Sequence, residues 1–337
     1  MPRCILSCII VLLSAAEANA QTSDSTNVVR LIAVGDVNLG RFVGQQILKG
    51  DTTYPFVFVA DTFKQYDIVF ANLESTLSDQ KGETQHPRNN LIFTGPPTGA
   101  RSLAHGGVTV VSTANNHAID YGVKSQRETI RYLSESGIAF AGTALNPDDL
   151  AKPVIISRNG IDIAFFACTA IMNRTGNEWK QYVCFADTAL LLPKIRVYRD
   201  SVDFIVVSYH GGDEYSERQN ARTEAFAHAI VNGGADLFLG HHPHVPHGIE
   251  SINGKYIVYS LGNFVFRQPQ HYWTQRSFAF VAEIRKQRGA TRLDSFRCLP
   301  VMTGFQPAFA TDSLEAKGIL EHVAQLSDPS VALDILR

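Results

Sequence analysis

ADLFLGHHPH, from Ala235 to His244, decides how this chain is read. Ala235 to Leu239 is a short apolar run, and Gly240-His241-His242-Pro243-His244 follows it as a polar, imidazole-rich cluster. The arrangement has an earlier counterpart, where Val108 to Ser112 leads into Ala114-Asn115-Asn116-His117. Apolar runs of this length ahead of polar clusters read as buried strands. In open α/β sheets, ligands sit outside the carboxyl ends of such strands. Imidazoles gathered there are more economically explained by a metal than by packing.

Three more clusters fit the same scheme. Gly35-Asp36-Val37-Asn38 closes a strand from Val28 to Gly35, and Asn72-Leu73-Glu74 closes one from Asp67 to Ala71. His210-Gly211-Gly212-Asp213-Glu214-Tyr215 closes one from Phe204 to Tyr209. Each has an ordinary explanation when taken alone. Gly-Asp after a strand makes a turn, Asn116 can accept the strand-to-helix turn, and a single His210 can be a hydrogen-bonded core histidine. Their coincidence at one strand end argues for a site. Carboxylate and amide oxygens with imidazole nitrogens form a borderline donor set, better suited to Zn, Mn or Fe than to Ca or Cu(I). Asp120, one turn after His117, and Asn263 are candidates for holding ligating imidazoles in one tautomer. Asp120 reads equally well as an acid at a helix start.

The pattern around these clusters predicts an α/β domain of two packed sheets with helices outside. Helices are expected at Pro55 to Tyr66, Val123 to Ser136, Leu190 to Ser201, Thr223 to Asn232 and Leu314 to Leu326. Val154 to Ser157 and Asp162 to Cys168 flank Asn159-Gly160 and read as a hairpin. The last third is mostly antiparallel, with runs Gly248 to Ile252, Lys255 to Ser260, Phe278 to Arg285 and Arg292 to Leu299. A loop from Ala170 to Thr188 is expected to cover the site. The expected organisation is a signal peptide over 1–20, one domain over 28–312, and a C-terminal helix and tail over 313–337.

Composition narrows the function classes. The chain has 337 residues, 45% hydrophobic and 18% charged, with a net charge of −2. These values are ordinary for a folded soluble protein, and no basic cluster points to nucleic acid. Arg3, the apolar run Ile5 to Leu13 and Ala18-Asn19-Ala20 have the form of a cleavable export signal, which predicts a secreted or periplasmic protein. An uncleaved anchor is the competing reading, and peripheral membrane association stays open. Export permits disulfides. Cys168 and Cys184 flank a polar loop, so either a bridge contributing about 3 kcal/mol or three buried thiols, with Cys298, is expected.

The stretches GDVNLGR, ANLESTLS, STANNHAIDYG, VVSYHGGDEY, GADLFLGHHPHV and YSLGNFVF span Val34 to Phe266. As an ordered set they are highly specific, and in them the chain resembles the capsule-synthesis (CapA-type, poly-γ-glutamate) branch of the calcineurin-like metallophosphoesterases. The resemblance implies a four-layer αββα sandwich of two mixed sheets with two divalent metals, Mn, Zn or Fe, at the strand ends. It implies Asp36, Asn116, His210, His242 and His244 as ligands, and His117 as the acid or phosphate-orienting histidine. Glu74 takes the place of the bridging carboxylate, with Asn72 as the competing candidate. Asn38 stands where the wider superfamily has a histidine ligand, which weakens the first metal position. Gly211 stands where this branch commonly has Trp, while Glu214 and Tyr215 remain as substrate-facing residues.

Two dications in such a site can lower the pKa of a shared water toward about 7 and clamp the oxygens of an in-line displacement at phosphorus. His117 could protonate the leaving oxygen. The expected activity is hydrolysis of a phosphoester. Two alternatives stand beside it: a weakly or non-catalytic accessory that binds poly-γ-glutamate during capsule assembly or export, and an amide hydrolase acting on that polymer. The expected partner is a phosphoester or an anionic polymer. Arg41, Arg88, Arg101 and Arg267 are the candidate cations for it, with Arg41 first because it follows the first motif closely. The oligomeric state is not readable from these residues.

Overall fold

A computed structural model describes residues 27–336. The expected signal segment therefore lies outside the described residues. The chain begins with β1 (Asn27–Val37), α1 (Arg41–Leu48), α2 (Ala60–Phe63), β2 (Ile68–Leu73) and the two-residue strands β3 (Thr76–Leu77) and β4 (Thr94–Gly95). Next come α3 (Gly99–His105), β5 (Val110–Ser112), α4 (Gly122–Glu135) and β6 (Ala139–Ala141). The hairpin β7 (Val154–Arg158) and β8 (Ile161–Thr169) leads to α5 (Thr188–Arg199), β9 (Phe204–His210), α6 (Ala221–Asn232) and β10 (Leu237–His241). The remainder is β11 (Ile249–Ile252), β12 (Lys255–Val258), β13 (Arg276–Gln287), β14 (Ala290–Met302), β15 (Ala308–Phe309), α7 (Ser313–Leu326) and α8 (Pro329–Ile335).

Two mixed sheets result. One has the order β15-β14-β13-β1-β2-β5-β6 and the other β11-β12-β10-β9-β8-β7. β1, β2, β5 and β6 run parallel, as do β8, β9, β10 and β12. Side-chain alternation then sorts the apolar residues into layers. Leu31 and Phe70 from one sheet meet Phe165, Val206 and Leu239 from the other between the sheets. On the outer face of the first sheet, Ile32 and Val34 pack with Val43 of α1, Leu103 of α3 and Leu133 of α4. On the outer face of the second, Phe166 and Val207 pack with Ile195 of α5 and Ile230 of α6. The architecture is the expected α/β sandwich, helix–sheet–sheet–helix. In the hairpin, Asn159 and Gly160 both have positive φ (50° and 74°), as a two-residue type I′ turn requires.

Several expected boundaries change. The helix expected over Pro55 to Tyr66 is a 3₁₀ turn at Tyr54–Phe56 followed by the four-residue α2. Phe56, Val59 and Phe63 are buried while Val57 and Phe58 are exposed. The β-branched and aromatic run from Val57 to Val59 weakly favours helix, so the helical turn is interrupted there. α1, α3, β6 and α8 are shorter than the window in which periodicity can be read. α7 and α8 are not a loose tail. Val323, Val331 and Ile335 join the same apolar cluster as Ile249 and Phe296. Of the two expectations for the cysteines the structure has the second: Cys168, Cys184 and Cys298 are buried free thiols, and burial pushes their pKa values up.

Between the sheets, the rings of Phe70 and Phe165 stack 5.9 Å apart at 7°. This contact holds β2 against β8 beneath the strand ends. Phe70→Ala is expected to cost about 3–5 kcal/mol in urea denaturation. A loss under about 1 kcal/mol, typical of a surface change, would show that the two sheets do not depend on this stack.

Candidate metal centre

The carboxyl ends of β1, β2 and β5 meet those of β9 and β10 at one edge of the sandwich, and polar side chains from both sheets converge there. A register shift in β1 between Ala33 and Asp36 brings Asp36 opposite Asn72. Gly35 sits at this irregularity, where a Cβ would lie 1.9 Å from the Gly262 carbonyl oxygen. Only glycine lets the two backbones approach this closely, and Asp36 N donates to that same oxygen at 2.9 Å.

Glu74 is at the centre. It is fully buried, and neither carboxylate oxygen has a hydrogen-bond partner. Its Oε1 lies 3.8 Å from His210 Nε2, 3.8 Å from His244 Nε2 and 4.0 Å from His117 Nε2. Burial, reinforced by the neighbouring charges of Asp36 and Glu214, pushes its carboxyl well above the usual range, with Arg41 acting the other way. Burial also pushes Asp36 up, but His241 and His244 outweigh it and hold that carboxyl well below its usual range. Two adjacent buried carboxyls are thereby driven apart in pKa.

Asparagines hold the surrounding imidazoles. Asn72 Nδ2 donates to Asp36 Oδ1 at 2.8 Å and to His210 Nδ1 at 3.1 Å. His210 Nε2 donates to Asn116 Oδ1 at 2.8 Å, and Asn116 Nδ2 donates to Asn173 Oδ1 at 3.2 Å. The His210 proton on Nε2 is the one a cation would displace. His244 Nδ1 faces two acceptors, Asp36 Oδ2 at 3.1 Å and Asn263 Oδ1 at 3.0 Å, which leaves its Nε2 lone pair directed at Glu74. His242 is buried with Nδ1 unpartnered, and burial with the charge of His244 lowers its pKa to about 3. Burial and His242 hold His210 well below its usual value. His117 Nδ1 is bound by Asp120 Oδ2 at 2.7 Å, and that oxygen also accepts from Phe93 N at 3.1 Å.

Two groups of three side chains could each hold a metal ion: Glu74, His210 and His242, and Asp36, Glu74 and His244. Glu74 belongs to both. Imidazole nitrogens and an orphaned buried carboxylate fit divalent cations, which would offset the desolvation of Glu74. Glu214 is exposed at the rim and forms a third group with His242 and His244. Tyr215 Oη accepts from Gln268 Nε2 at 3.3 Å, and its ring lies 6.2 Å from that of His244.

Not every expected residue joins the cluster. The Asn38 amide oxygen accepts from Gly40 N at 2.8 Å. It shapes the turn after β1, because an asparagine side chain readily bonds backbone two residues on. Asn72 is an organiser of Asp36 and His210 and not the central carboxylate. Arg41 reaches the rim, whereas Arg88, Arg101 and Arg267 are exposed.

Sequence reasoning passed over three residues. His241 is fully buried with both nitrogens unpartnered, and its Nδ1 lies 3.5 Å from Asp36 Oδ1. Its place two residues after Leu239 marks the inter-sheet face, a signal available from alternation alone. Asn115 donates to Leu73 O at 2.8 Å and accepts from His117 N at 3.1 Å, tying two strand ends together. Asn173 comes from the loop expected to cover the site. Arg174 beside it donates to Ile119 O and Asp120 O at 2.7 and 3.0 Å. A cleft of about 680 Å³ lies under this loop, lined by Asn173, Arg174, Trp179 and Tyr182.

Geometry defines the class as a two-sheet α/β protein with a carboxylate–imidazole centre suited to divalent metal. The sequence pattern of the family described as "Bacterial capsule synthesis protein PGA_cap" matches residues 30–268, and the chain belongs to that family. It is similar to the PGA biosynthesis protein CapA of Bacillus subtilis, at 31% identity over 93% of this chain and 82% of that protein. It is 31% identical to the capsule biosynthesis protein CapA of Bacillus anthracis over 77% of this chain and 65% of that protein, just under two thirds of its length. A solved calcineurin-like phosphoesterase, YfkN from Bacillus subtilis, is 12% identical over 89% of this chain and 98% of that one with a TM-score of 0.44, too distant a likeness to bear on function. Among the described residues no helix is long and apolar enough to cross a membrane.

Two outcomes follow. Glu74→Gln is expected to leave metal-free protein at least as stable as the parent in chemical denaturation, while elemental analysis shows bound metal lost; metal retained at parental content would remove Glu74 from the centre. His247 Nε2 donates to Ser216 O at 2.6 Å in the segment that carries Glu214 and Tyr215. Burial lowers its pKa to about 4, against the pull of that bond. The unfolded imidazole takes a proton below about 6.5, but the folded one stays neutral down to about 4. Stability therefore falls as pH drops through this window, by about 3 kcal/mol for this group. Denaturation midpoints of metal-free protein at pH 7 and pH 5 should differ less in His247→Gln than in the parent, and parallel profiles would refute the assignment.

Proposed function

We propose that this protein is an exported metal-dependent hydrolase of the capsule and poly-γ-glutamate synthesis family that cleaves a phosphoester. The observation that carries the reading is Glu74: a buried carboxylate with no hydrogen bond, shared by two ligand groups and faced by three imidazoles. His210 and His242, with Asn116 alongside, would hold one divalent ion against Glu74. Asp36 and His244 would hold the second. Divalent ions held there would supply a nucleophilic water at neutral pH and positive charge for the phosphoryl oxygens.

The remaining work falls to the chain's own groups. His117, with Nδ1 on Asp120, directs Nε2 towards the centre and can protonate the leaving oxygen. Asp120 fixes the tautomer and ring plane of His117, and Phe93 covers one face of the ring with centroids 4.1 Å apart. Asn263 and Asp36 orient His244, while Asn72 orients His210.

One observation favours the accessory reading. The Asn38 amide oxygen accepts from Gly40 N, and the carboxylate and imidazole donors of the second group number three, Asp36, Glu74 and His244. A half-filled centre could serve to hold an anionic chain such as poly-γ-glutamate. Metal content separates the two: near two equivalents per chain supports hydrolysis, and near zero in folded protein supports the accessory role. Hydrolysis of an aryl phosphoester with added Mn is expected to fall at least about 100-fold in His210→Ala, the scale of losing one electrostatic contact to the transition state. Equal rates in parent and variant would sink the proposal.

A further inference from the structure

Arg41 makes no ion pair among the described residues, yet it stands over the rim of the candidate centre. Its backbone is locked in the left-handed region, with φ of 52°. Arg41 N donates to Thr84 O at 2.9 Å, and Thr84 Oγ1 donates to Arg41 O at 2.8 Å. That conformation is uncommon for a residue with a side chain and needs such support.

Two aromatic rings hold the guanidinium. Its central carbon lies 4.6 Å from the ring centre of Phe93 and 5.6 Å from that of Phe266. Phe93 in turn stacks on His117 at 4.1 Å, and Phe266 approaches His244 at 5.0 Å. One ring therefore separates the cation from the candidate acid and one from a candidate ligand. Nη2 donates to Asn90 O at 3.0 Å, while Nε is buried and has no partner. Burial lowers the Arg41 pKa, and Glu74, Tyr215 and Asp120 lie near enough to act against this.

A cation that is partly desolvated, immobilised and left with a vacant donor is costly to fold, and an arriving anion repays that cost. Guanidinium is planar and forked, matched to the oxygen pairs of phosphate and carboxylate. We infer that Arg41 is a preformed binding site for an oxyanion of the substrate, placed beside the metal groups with its guanidinium as the contacting group. Under the hydrolase reading, on which this rests for its substrate, the reacting molecule carries negative charge that the metals do not fully cover. That charge is either a further phosphoryl oxygen or a carboxylate on the attached group.

The test is calorimetric titration of inorganic phosphate, and separately of glutarate, into the Mn-loaded chain. Parent, Arg41→Met and Arg41→Lys are compared, with metal content and melting temperature measured on each. At least one anion is expected to bind the parent. Arg41→Met should weaken it about 10- to 100-fold, the worth of a charge-assisted hydrogen bond. Arg41→Lys keeps the charge and loses the fork, so an intermediate loss of about 3- to 10-fold is expected; it carries the comparison if Arg41→Met does not fold. Binding of phosphate alone assigns the site to a phosphoryl oxygen, and binding of glutarate alone to a carboxylate. Affinities in both variants within about twofold of the parent, or no binding of either anion to metal-loaded parent, would overturn the inference. Arg41-dependent binding in a protein that hydrolyses no ester would uphold the anion site and remove the hydrolase reading.

Discussion

A carboxylate removed from water with no hydrogen bond is the constraint around which this protein is arranged. Burying an ionised acid alone is costly enough that it ordinarily stays protonated or finds a partner. Glu74 has neither an arginine nor a backbone N–H in reach of its oxygens. Three imidazole nitrogens stand 3.8–4.0 Å from its Oε1, too far for hydrogen bonds and well suited to sharing a cation. Asp36 shows the contrast. It is equally buried but accepts from Asn72 and His244, and its pKa is driven down as that of Glu74 is driven up.

The amides explain how such a cluster can be positioned before anything binds it. Asn72, Asn115 and Asn116 come from the ends of adjacent parallel strands and make a chain of bonds from Leu73 through Asp36 to His210. Neutral side chains can cross-link the two sheets there without adding charge to a crowded site. They also fix which atom points inward. Because Asn116 gives its N–H to Asn173, its oxygen faces His210 and the centre. The covering loop is thus tied to the site's own geometry.

Much of this was legible in the residues, for a physical reason. Buried parallel strands are short apolar runs, and the polar residues that end them are conspicuous against that background; hence Asp36, Glu74, Asn116, His210 and His244 could be placed on one edge. Layer order followed from the same pattern. The short helices could not be seen, since α1 and α3 offer too few turns to show a period, and buried Phe56, Val59 and Phe63 recur at helical spacing across a segment that is not one helix. The role of Asn38 was hidden, because whether an amide caps a turn or faces a metal depends on a two-residue backbone geometry. The place of His241 was open to a reading of alternation that was not made.

Backbone strain marks where structure yields to the site. Arg41, Tyr215, His242 and His244 all have positive φ, between 52° and 97°. The other non-glycine residues with this geometry include Asn159 and Asn253, which make hairpin turns where asparagine tolerates it. Histidine enters this region more readily than most side chains, yet at His242 and His244 it still costs on the order of 1–3 kcal/mol each. The chain leaves the line of β10 at these two residues, and each ring offers a nitrogen to a group that contains Glu74 or adjoins it. Gly240 permits this departure, because a Cβ there would lie 2.0 Å from Tyr259 O as β10 passes its neighbour. The sandwich supplies a rigid edge, and the deviations from ideal geometry gather where that edge must hold a charge that packing alone would reject.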